Sequence, residues 1–163
     1  MRRVFLALGS NVGNRRDNLE AACAAMSDFF EISEKSKLYE TEPVGFVAQR
    51  DFLNAAVFGR TELAPEDFFD ACKRIEAKLG RIPQAVRNAP REIDLDIIFF
   101  EGVAINTVKL TIPHPRWAER DFVISPLLDL LDAGTFECDA FAEYKHFLSN
   151  KIRKYPAFCA FGF

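Results

Sequence analysis

Two aspartates lie two residues apart in an apolar, β-rich run that begins at Pro90 and ends at Phe100. Side chains alternate between the faces of a strand, so Asp94 and Asp96 point the same way, about 7 Å apart along the chain. Two such carboxylates repel each other and lose hydration when they are buried. A divalent cation relieves both costs, and an oxygen-rich site of this kind suits Mg²⁺ that is shared with substrate phosphates.

Three arginines precede the acidic pair, and no acid lies between the first and the last of them: Arg81, Arg87 and Arg91. A guanidinium stays charged and binds two phosphate oxygens at once, which suits it to phosphate recognition. Carboxylates for a metal beside arginines for phosphate are the composition that phosphoryl transfer requires. Taken alone, two acids at this spacing are common, and two solvated acids on an exposed strand are the alternative interpretation.

The composition is typical of one folded domain with a full core, since the chain has 163 residues, 49% of them hydrophobic and 17 of them Phe. A net charge of −3 argues against a general binder of nucleic acid or membrane surfaces. The four cysteines form no CxxC motif, and we interpret them as reduced, buried hydrophobic residues. The N-terminal apolar run is too short for a signal peptide, and no stretch approaches the length of a membrane span. We expect a cytoplasmic monomer with no nucleic-acid or membrane partner.

The hydrophobic periods predict the element order β-α-β-β-α-β. The predicted strands are Val4–Leu8, Ile32–Thr41, Phe52–Phe58 and Ile93–Phe100. Apolar residues recur at helical spacing from Leu19 to Phe30, and a second helix begins at Ala64-Pro65 and ends at Gly80. This order is the split βαβ of an α+β fold, a ferredoxin-like βαββαβ sandwich with an antiparallel sheet flanked by helices.

The remaining segments carry weaker signals. Arg81–Pro90 has two prolines and no apolar period, so we predict a loop that closes over bound substrate as a lid. We also predict a short strand near Ile105–Thr111 that pairs back on the fourth strand, one helical turn at Arg116–Arg120, and a short helix at Phe141–Ser149. The rest of residues 132–163 carries no clear pattern.

A set of motifs occurs in a fixed order along the chain. They are Gly9-Ser10-Asn11, Thr41-Glu42-Pro43-Val44-Gly45, Phe52-Leu53-Asn54-Ala55-Ala56-Val57, Arg74-Ile75-Glu76, Gly80-Arg81, Arg87, Pro90-Arg91, Asp94-Leu95-Asp96 and Pro113-His114-Pro115-Arg116. Over about residues 3–130 the ordered set resembles the 6-hydroxymethyl-7,8-dihydropterin pyrophosphokinase family. We therefore expect a single domain over 1–163, in which 132–163 is a poorly matched C-terminal extension.

The resemblance implies a reaction in folate biosynthesis. The hydroxymethyl oxygen of the pterin attacks the β-phosphorus of ATP, a pyrophosphoryl group is transferred as one unit, and AMP leaves. The implied catalytic residues are Arg81, Arg91, Asp94 and Asp96, and the two aspartates are the implied ligands of two Mg²⁺ ions. ATP is the implied co-substrate, and the implied fold is the α+β sandwich that the element order predicts independently.

The resemblance also implies two sets of binding residues. ATP would contact Glu76, Arg81, Arg87, Arg91, Ile97 (mainly through its backbone), Lys109, Thr111, His114 and Arg120. The pterin would contact Thr41, Glu42, Val44, Phe52, Asn54 and Phe122. Phe52 and Asn54 share one face of the third strand, so a ring can stack on the pterin while an amide binds its edge. Without the family spacing, Phe52 would be interpreted as a core residue.

Two other functions compete with this interpretation. Another Mg²⁺-dependent nucleotidyl- or phosphotransferase would use the same aspartates, but it would not explain Phe52 together with Asn54. An RNA-binding module of the RRM type would also place aromatic rings on a sheet. Its Lys/Arg-Gly-Phe strand motif is missing, and the acidic pair would face the RNA.

Overall fold

The computed structural model describes residues 1–45, 48–82 and 89–160, and its centre is a five-stranded antiparallel sheet. The strands are β1 (Arg2–Ser10), β2 (Glu31–Lys35), β3 (Tyr39–Thr41), β4 (Phe52–Thr61) and β5 (Asp94–Phe100), followed by β6 (Ile105–Asn106) and β7 (Thr111–Ile112) outside this sheet. The helices are α1 (Arg15–Met26), α2 (Pro65–Lys78), α3 (Asp121–Asp132) and α4 (Ala142–Ser149), with 3₁₀ turns at Trp117–Glu119 and Asp139–Phe141.

The strand order β2-β4-β1-β5, with β3 also paired to β4, confirms the predicted antiparallel α+β sheet flanked by helices. The predicted second strand is divided into β2 and β3 at Ser36. There the Ser36 hydroxyl accepts a hydrogen bond from Ala56 N at 2.9 Å, while Ser36 N donates to Ala56 O at 2.9 Å. A side-chain oxygen thus replaces the next backbone carbonyl of the ladder, and the chain bends before β3 begins.

One face of the sheet is covered by α1 and α2, as the sequence predicts. The buried residues of α1 are Leu19, Ala22, Cys23 and Met26, and those of α2 include Phe68, Cys72 and Ile75. Asn14 caps α1, because its Oδ1 accepts a hydrogen bond from Asp17 N at 3.3 Å. Gly80, with φ of +103°, follows the end of α2 and adopts the left-handed conformation that favours glycine.

The opposite face is covered by a second helical layer, of which the sequence analysis predicted the helix α4 and the helical turn before α3, but not α3 itself. Helix α3 contains Pro126, and α4 follows after a 3₁₀ turn. The centre of this layer is Phe5 of β1, whose ring is stacked on Phe136 at 4.2 Å and meets Phe141 edge-on at 5.0 Å. Because Phe136 and Phe141 are fully buried, part of residues 132–163 belongs to the core rather than to a tail.

A β-bulge in β5 shapes the same face. Leu6 pairs with Ile97 and Phe5 pairs with Phe99, so Ile98 is the extra residue. Ile98 and Phe99 both pack in the core between the sheet and the layer of α3 and α4, here called the second core. Ile97 packs in the core between the sheet and the layer of α1 and α2, here called the first core. The aspartates at the start of β5 therefore share their face with α3 and α4.

The hairpin after β5 differs from the prediction. β6 and β7 pair with each other, through Ile105 with Ile112 and Asn106 with Thr111, rather than with β5. The predicted strand pairing over Ile105–Thr111 is therefore wrong. Within the described residues, no helix has both the length and the apolar character needed to cross a bilayer.

Gly59 allows a close approach between β4 and β2. A Cβ atom there would overlap the carbonyl oxygen of Glu31 and would lie 2.8 Å from Cε2 of Phe30. We expect Gly59→Ala to lower the free energy of unfolding by about 2 kcal/mol or more, because backbone and a buried ring must move. Urea unfolding checks this, with the exposed neighbour Arg60→Ala as the control. Equal stability of the two variants would show that the strands can separate at little cost.

Candidate active site

The site lies on the face of the sheet that also carries α3. It is at the edge where β1 ends and where its antiparallel neighbours β4 and β5 begin. Gly9 of β1 pairs with Asn54 of β4 on one side and with Asp94 of β5 on the other. Two residues earlier in β1, Ala7 pairs with Ala56 of β4 on one side and with Asp96 of β5 on the other. The amide and the two carboxylates therefore stand on opposite sides of a central strand that carries only Gly and Ala between them.

Gly9 keeps this floor low. A Cβ atom at Gly9 would lie 3.0 Å from Oδ1 of Asn54 and 3.7 Å from Cδ1 of Phe52. Above the floor is a cavity of about 570 Å³. Most of the predicted site residues line it, namely Thr41, Glu42, Val44, Phe52, Asn54, Arg81, Arg91, Asp94, Asp96, His114, Arg120 and Phe122.

Asp94 is held by two arginines. Nη1 of Arg81 lies 2.6 Å from Oδ1 of Asp94, and Nη1 of Arg91 lies 2.9 Å from Oδ2. Burial by itself would raise the pKa of Asp94, but the charges of Arg81, Arg91 and Lys73 outweigh it and hold the pKa below its ordinary value. Asp94 is therefore an anion at neutral pH, and each arginine that holds it faces the cavity.

Asp96 has weaker compensation. Nη1 of Arg120 lies 3.9 Å and Nε2 of His114 lies 4.0 Å from Oδ2 of Asp96. Partial burial and then the neighbouring charge of Asp94 raise the pKa of Asp96 to about 6. The acidic pair is thus short of positive charge at Asp96, the side where a cation would be most favourable.

His114 is neutral and its tautomer is set by the backbone. Nδ1 of His114 accepts a hydrogen bond from Arg116 N at 3.1 Å, so the ring proton is on Nε2, the nitrogen nearer Asp96. Burial, followed by the charge of Arg120, lowers the pKa of His114 to about 4. The imidazole therefore offers a neutral N–H donor to the cavity.

Glu76 is the buried carboxylate that places these groups. Its Oε1 accepts from Leu95 N at 2.7 Å and from Lys73 Nζ at 2.8 Å, and its Oε2 lies 2.6 Å from Nη1 of Arg81. Its side chain is only 5% exposed. Glu76 therefore connects α2 to the strand residue between the two aspartates and to the arginine that binds one of them.

Asn11 has a similar role for Arg91. Oδ1 of Asn11 accepts from Arg91 N at 2.9 Å, and Asn11 N donates to Arg91 O at 3.1 Å. Its amide nitrogen donates to Gln49 Oε1 and to Arg50 O, at 2.8 and 2.9 Å. The turn after β1 thus holds Arg91 against the segment that precedes β4.

The opposite wall is aromatic and amide-bearing. Asn54 is 6% exposed and its Nδ2 donates to Oγ1 of Thr41 at 2.7 Å. Phe52 pairs with Thr41 across β3 and β4, and Phe122 stands at the start of α3. Thr41 accepts one amide hydrogen of Asn54, and among the described residues the other amide hydrogen and the amide oxygen have no hydrogen-bond partner, so they can bind a planar polar ligand.

Four of the predicted ATP residues do not line the cavity in the described part of the chain: Glu76, Ile97, Lys109 and Thr111. The side chain of Ile97 packs in the first core, and Lys109 Nζ lies 2.7 Å from Oδ1 of Asp70 on α2. Arg87 lies outside the described residues. Contact of these residues with ATP stays a prediction.

Sequence reasoning missed several residues that line the cavity, among them Lys73 and Tyr155. Lys73 precedes Glu76 by three residues, so helical spacing signals that the two side chains meet. Tyr155 also lines the cavity, and no local pattern signals it, because it lies in an irregular segment far along the chain.

Comparison with known proteins identifies the family. Residues 5–132 match the family model described as 7,8-dihydro-6-hydroxymethylpterin-pyrophosphokinase (HPPK). This chain belongs to the HPPK family. The HPPK match covers β1 to α3 and includes every predicted site residue.

Two bacterial HPPK relatives are similar over most of their length. The 2-amino-4-hydroxy-6-hydroxymethyldihydropteridine pyrophosphokinase of Bacillus subtilis is 41% identical over 128 residues, 77% of this chain and 76% of the relative. The protein of the same name from Aquifex aeolicus is 38% identical over 130 residues, 80% of this chain and 81% of the relative.

Other HPPK relatives are longer. A folate synthesis bifunctional protein of Arabidopsis thaliana is 45% identical over 147 residues, which are 90% of this chain but 30% of that protein. The chain thus spans less than a third of this relative. A crystal structure of HPPK-DHPS from Plasmodium falciparum matches with a TM-score of 0.60 and 17% identity, over 80% of this chain and 40% of that one. At this identity the structure supports the fold alone.

Gly9 offers a test of the cavity floor. We expect Gly9→Ala to displace the Asn54 side chain from Thr41 and to raise the KM for the pterin alcohol that the resemblance implies as a substrate by about tenfold, the equivalent of one hydrogen bond. The KM for ATP and the thermal unfolding temperature should change little. Steady-state kinetics with each substrate varied in turn checks this, and an equal rise in both KM values would contradict it.

Proposed function

We propose that this chain transfers pyrophosphate from ATP to the hydroxymethyl group of 6-hydroxymethyl-7,8-dihydropterin and releases AMP, as a step of folate biosynthesis. The observation that supports this best is the row formed by Asn54, Gly9 and Asp94. The Asn54 amide and the Asp94 carboxylate lie on one face of the sheet, across a floor formed by Gly9 and Ala7. Both substrates can therefore meet in one cavity.

The pterin is proposed to lie at the β4 end of the cavity. Its flat rings stack on Phe52 and Phe122, while Asn54 and Thr41 hydrogen-bond to its edge together with the backbone of Glu42 and Val44. ATP is proposed to lie at the β5 end, where Arg81 and Arg91 bind its phosphates. The further proposed ATP contacts are Glu76, Arg87, Ile97, Lys109, Thr111, His114 and Arg120.

The donor set fits magnesium bound together with a nucleotide. In the described residues, no group of three or more His, Cys, Asp and Glu side chains is arranged to hold a metal ion by itself. Mg²⁺ is commonly bound by one or two carboxylates together with substrate phosphates and water, which is what Asp94 and Asp96 can supply. We propose that these two aspartates hold two Mg²⁺ ions when ATP is present. Bound Mg²⁺ supplies charge neutralisation to the phosphate oxygens during transfer.

The chain's own residues orient the reaction. Arg81 and Arg91, which bind Asp94 here, are proposed to bind the phosphate oxygens of ATP, and Mg²⁺ held by Asp94 and Asp96 would supply the positive charge that the carboxylates then require. The hydroxymethyl oxygen forms a bond to the β-phosphorus and loses its proton to water. The bond from that phosphorus to the oxygen that bridges the α-phosphorus breaks, and AMP leaves with that oxygen. The neutral His114 donates a hydrogen bond to phosphate or ribose rather than acting as a general base.

Removal of the Asp96 carboxylate tests the metal assignment. We expect Asp96→Asn to lower kcat by about a thousandfold, equivalent to about 4 kcal/mol of transition-state stabilisation, while the fold is retained. The measurement is AMP formed from ATP and the pterin alcohol with Mg²⁺, and ADP as the product would contradict the proposed transfer. Asp28→Asn, at an exposed position in the turn after α1, is the control. A near-normal rate of Asp96→Asn would show that the metal assignment is wrong.

Arg91 tests which state the guanidinium stabilises. We expect Arg91→Lys to lower kcat by about a hundredfold and to weaken ATP binding much less, because the second parallel hydrogen bond to the transferred group is lost. Single-turnover kinetics and nucleotide titration separate the two effects. Arg74→Lys, on the exposed face of α2, is the control. A loss confined to ATP affinity would assign Arg91 to binding of the ground state.

A further inference from the structure

Residues 151–160, here called the strap, cross the molecule from the end of α4 to the bend between β2 and β3. Lys154 Nζ lies 2.9 Å from Oδ2 of Asp121 at the start of α3. Further along, Leu38 N donates to Cys159 O at 2.9 Å, and Phe158 N donates to Leu38 O at 2.7 Å. The strap is thus attached to α3 through Lys154 and to the segment before β3 through Phe158 and Cys159.

A buried carboxylate, Asp129 in the last turn of α3, fixes the strap to this helix. Oδ2 of Asp129 accepts from Tyr39 Oη at 2.8 Å and from Lys37 N at 2.9 Å, and Oδ1 accepts from Arg153 at 3.0 and 3.1 Å. Arg153 also binds Asp132. The Asp129 side chain is 10% exposed, so it requires a cationic partner, and the strap supplies it.

Tyr155 lies between these attachments and lines the substrate cavity. Its neighbour Lys154 is bound to Asp121, which precedes Phe122, the proposed aromatic wall of the pterin site. The other attachment, at Leu38, directly precedes β3, which carries Thr41. Both attachments therefore belong to the pterin end of the cavity, whereas the aspartates and their arginines stand at the β5 end.

We propose that the strap is a built-in wall of the pterin site and that the ring of Tyr155 contacts the pterin. The inference rests on the proposed function. An aromatic ring held beside a planar heterocycle adds contact area at little entropic cost when its backbone is already fixed. The strap lies beyond residues 5–132 that the family model matches, so Tyr155 adds a specificity residue to those that the resemblance implies.

The test measures pterin binding without turnover. The full chain is saturated with Mg²⁺ and an ATP analogue that has a methylene group between the α- and β-phosphorus, and the pterin alcohol is titrated in a calorimeter. We expect Tyr155→Ala to raise the pterin Kd by about tenfold and to leave the analogue's Kd unchanged. Tyr155→Phe should bind like the wild type, because it keeps the ring. Ile152→Ala, at a strap residue that is 80% exposed, is the control.

The anchoring has its own test. Arg153→Ala releases the strap from Asp129, so it should weaken pterin binding in the same direction without moving the analogue's Kd. The double variant Arg153→Ala with Tyr155→Ala should bind the pterin no more weakly than Tyr155→Ala alone, because both changes remove one wall. Additive losses would show that Arg153 does not act through Tyr155.

The outcomes separate this inference from the proposed function. If the wild type forms AMP while Tyr155→Ala binds the pterin normally, the role of the strap is wrong and the proposed function stands. If Tyr155→Ala weakens the nucleotide analogue instead, the ring belongs to the ATP end and the inference is overturned. If the wild type neither binds the pterin nor forms AMP, the proposed function and the inference both fail.

Discussion

Repulsion between two carboxylates on one strand face is the constraint that organises this molecule. Asp94 is neutralised by Arg81 and Arg91, but Asp96 has no cationic atom closer than Arg120 at 3.9 Å in the described residues. A site with both acids compensated would be inert, and one with neither would destabilise β5. The structure lies between these limits: it leaves a local deficit of positive charge at the position where a substrate-bound cation is proposed to enter.

The supporting residues hold this arrangement through backbone atoms as well as through charge. Glu76 accepts from Leu95 N between the two acids, and Asn11 holds both backbone polar atoms of Arg91. Glu76 also lies beside Arg81, so α2 positions the acid and its partner together. Arrangements of this kind fix side-chain geometry before substrate arrives, which reduces the reorganisation required during transfer. The floor of Gly9 and Ala7 then leaves the space above the sheet to the ligands.

Local patterns predicted the layer of α1 and α2 because amphipathic helices and buried strands repeat over a few residues. They failed at Ser36, where a hydroxyl replaces a carbonyl of the ladder, and at α3, whose interior Pro126 removes a backbone donor. Within residues 132–163 they predicted the short helix α4 but not the packing of this segment. Phe136 and Phe141 are buried against Phe5, some 130 residues earlier in the chain. A hydrophobic period describes only nearby residues, so it cannot predict a contact with so distant a partner.

The sequence by itself determined that Asp94 and Asp96 share a face, because alternation in a strand is a local property, and the ordered motifs determined the family resemblance. Only the tertiary structure decided that this face is also that of Asn54, since the pairing of Gly9 with both residues depends on the register of β4, β1 and β5. It likewise decided that Tyr155 reaches the same cavity, through ion pairs of Arg153 and Lys154 with α3. Register and long-range ion pairs are set by burial across the whole core, and so they become visible only when the chain is folded.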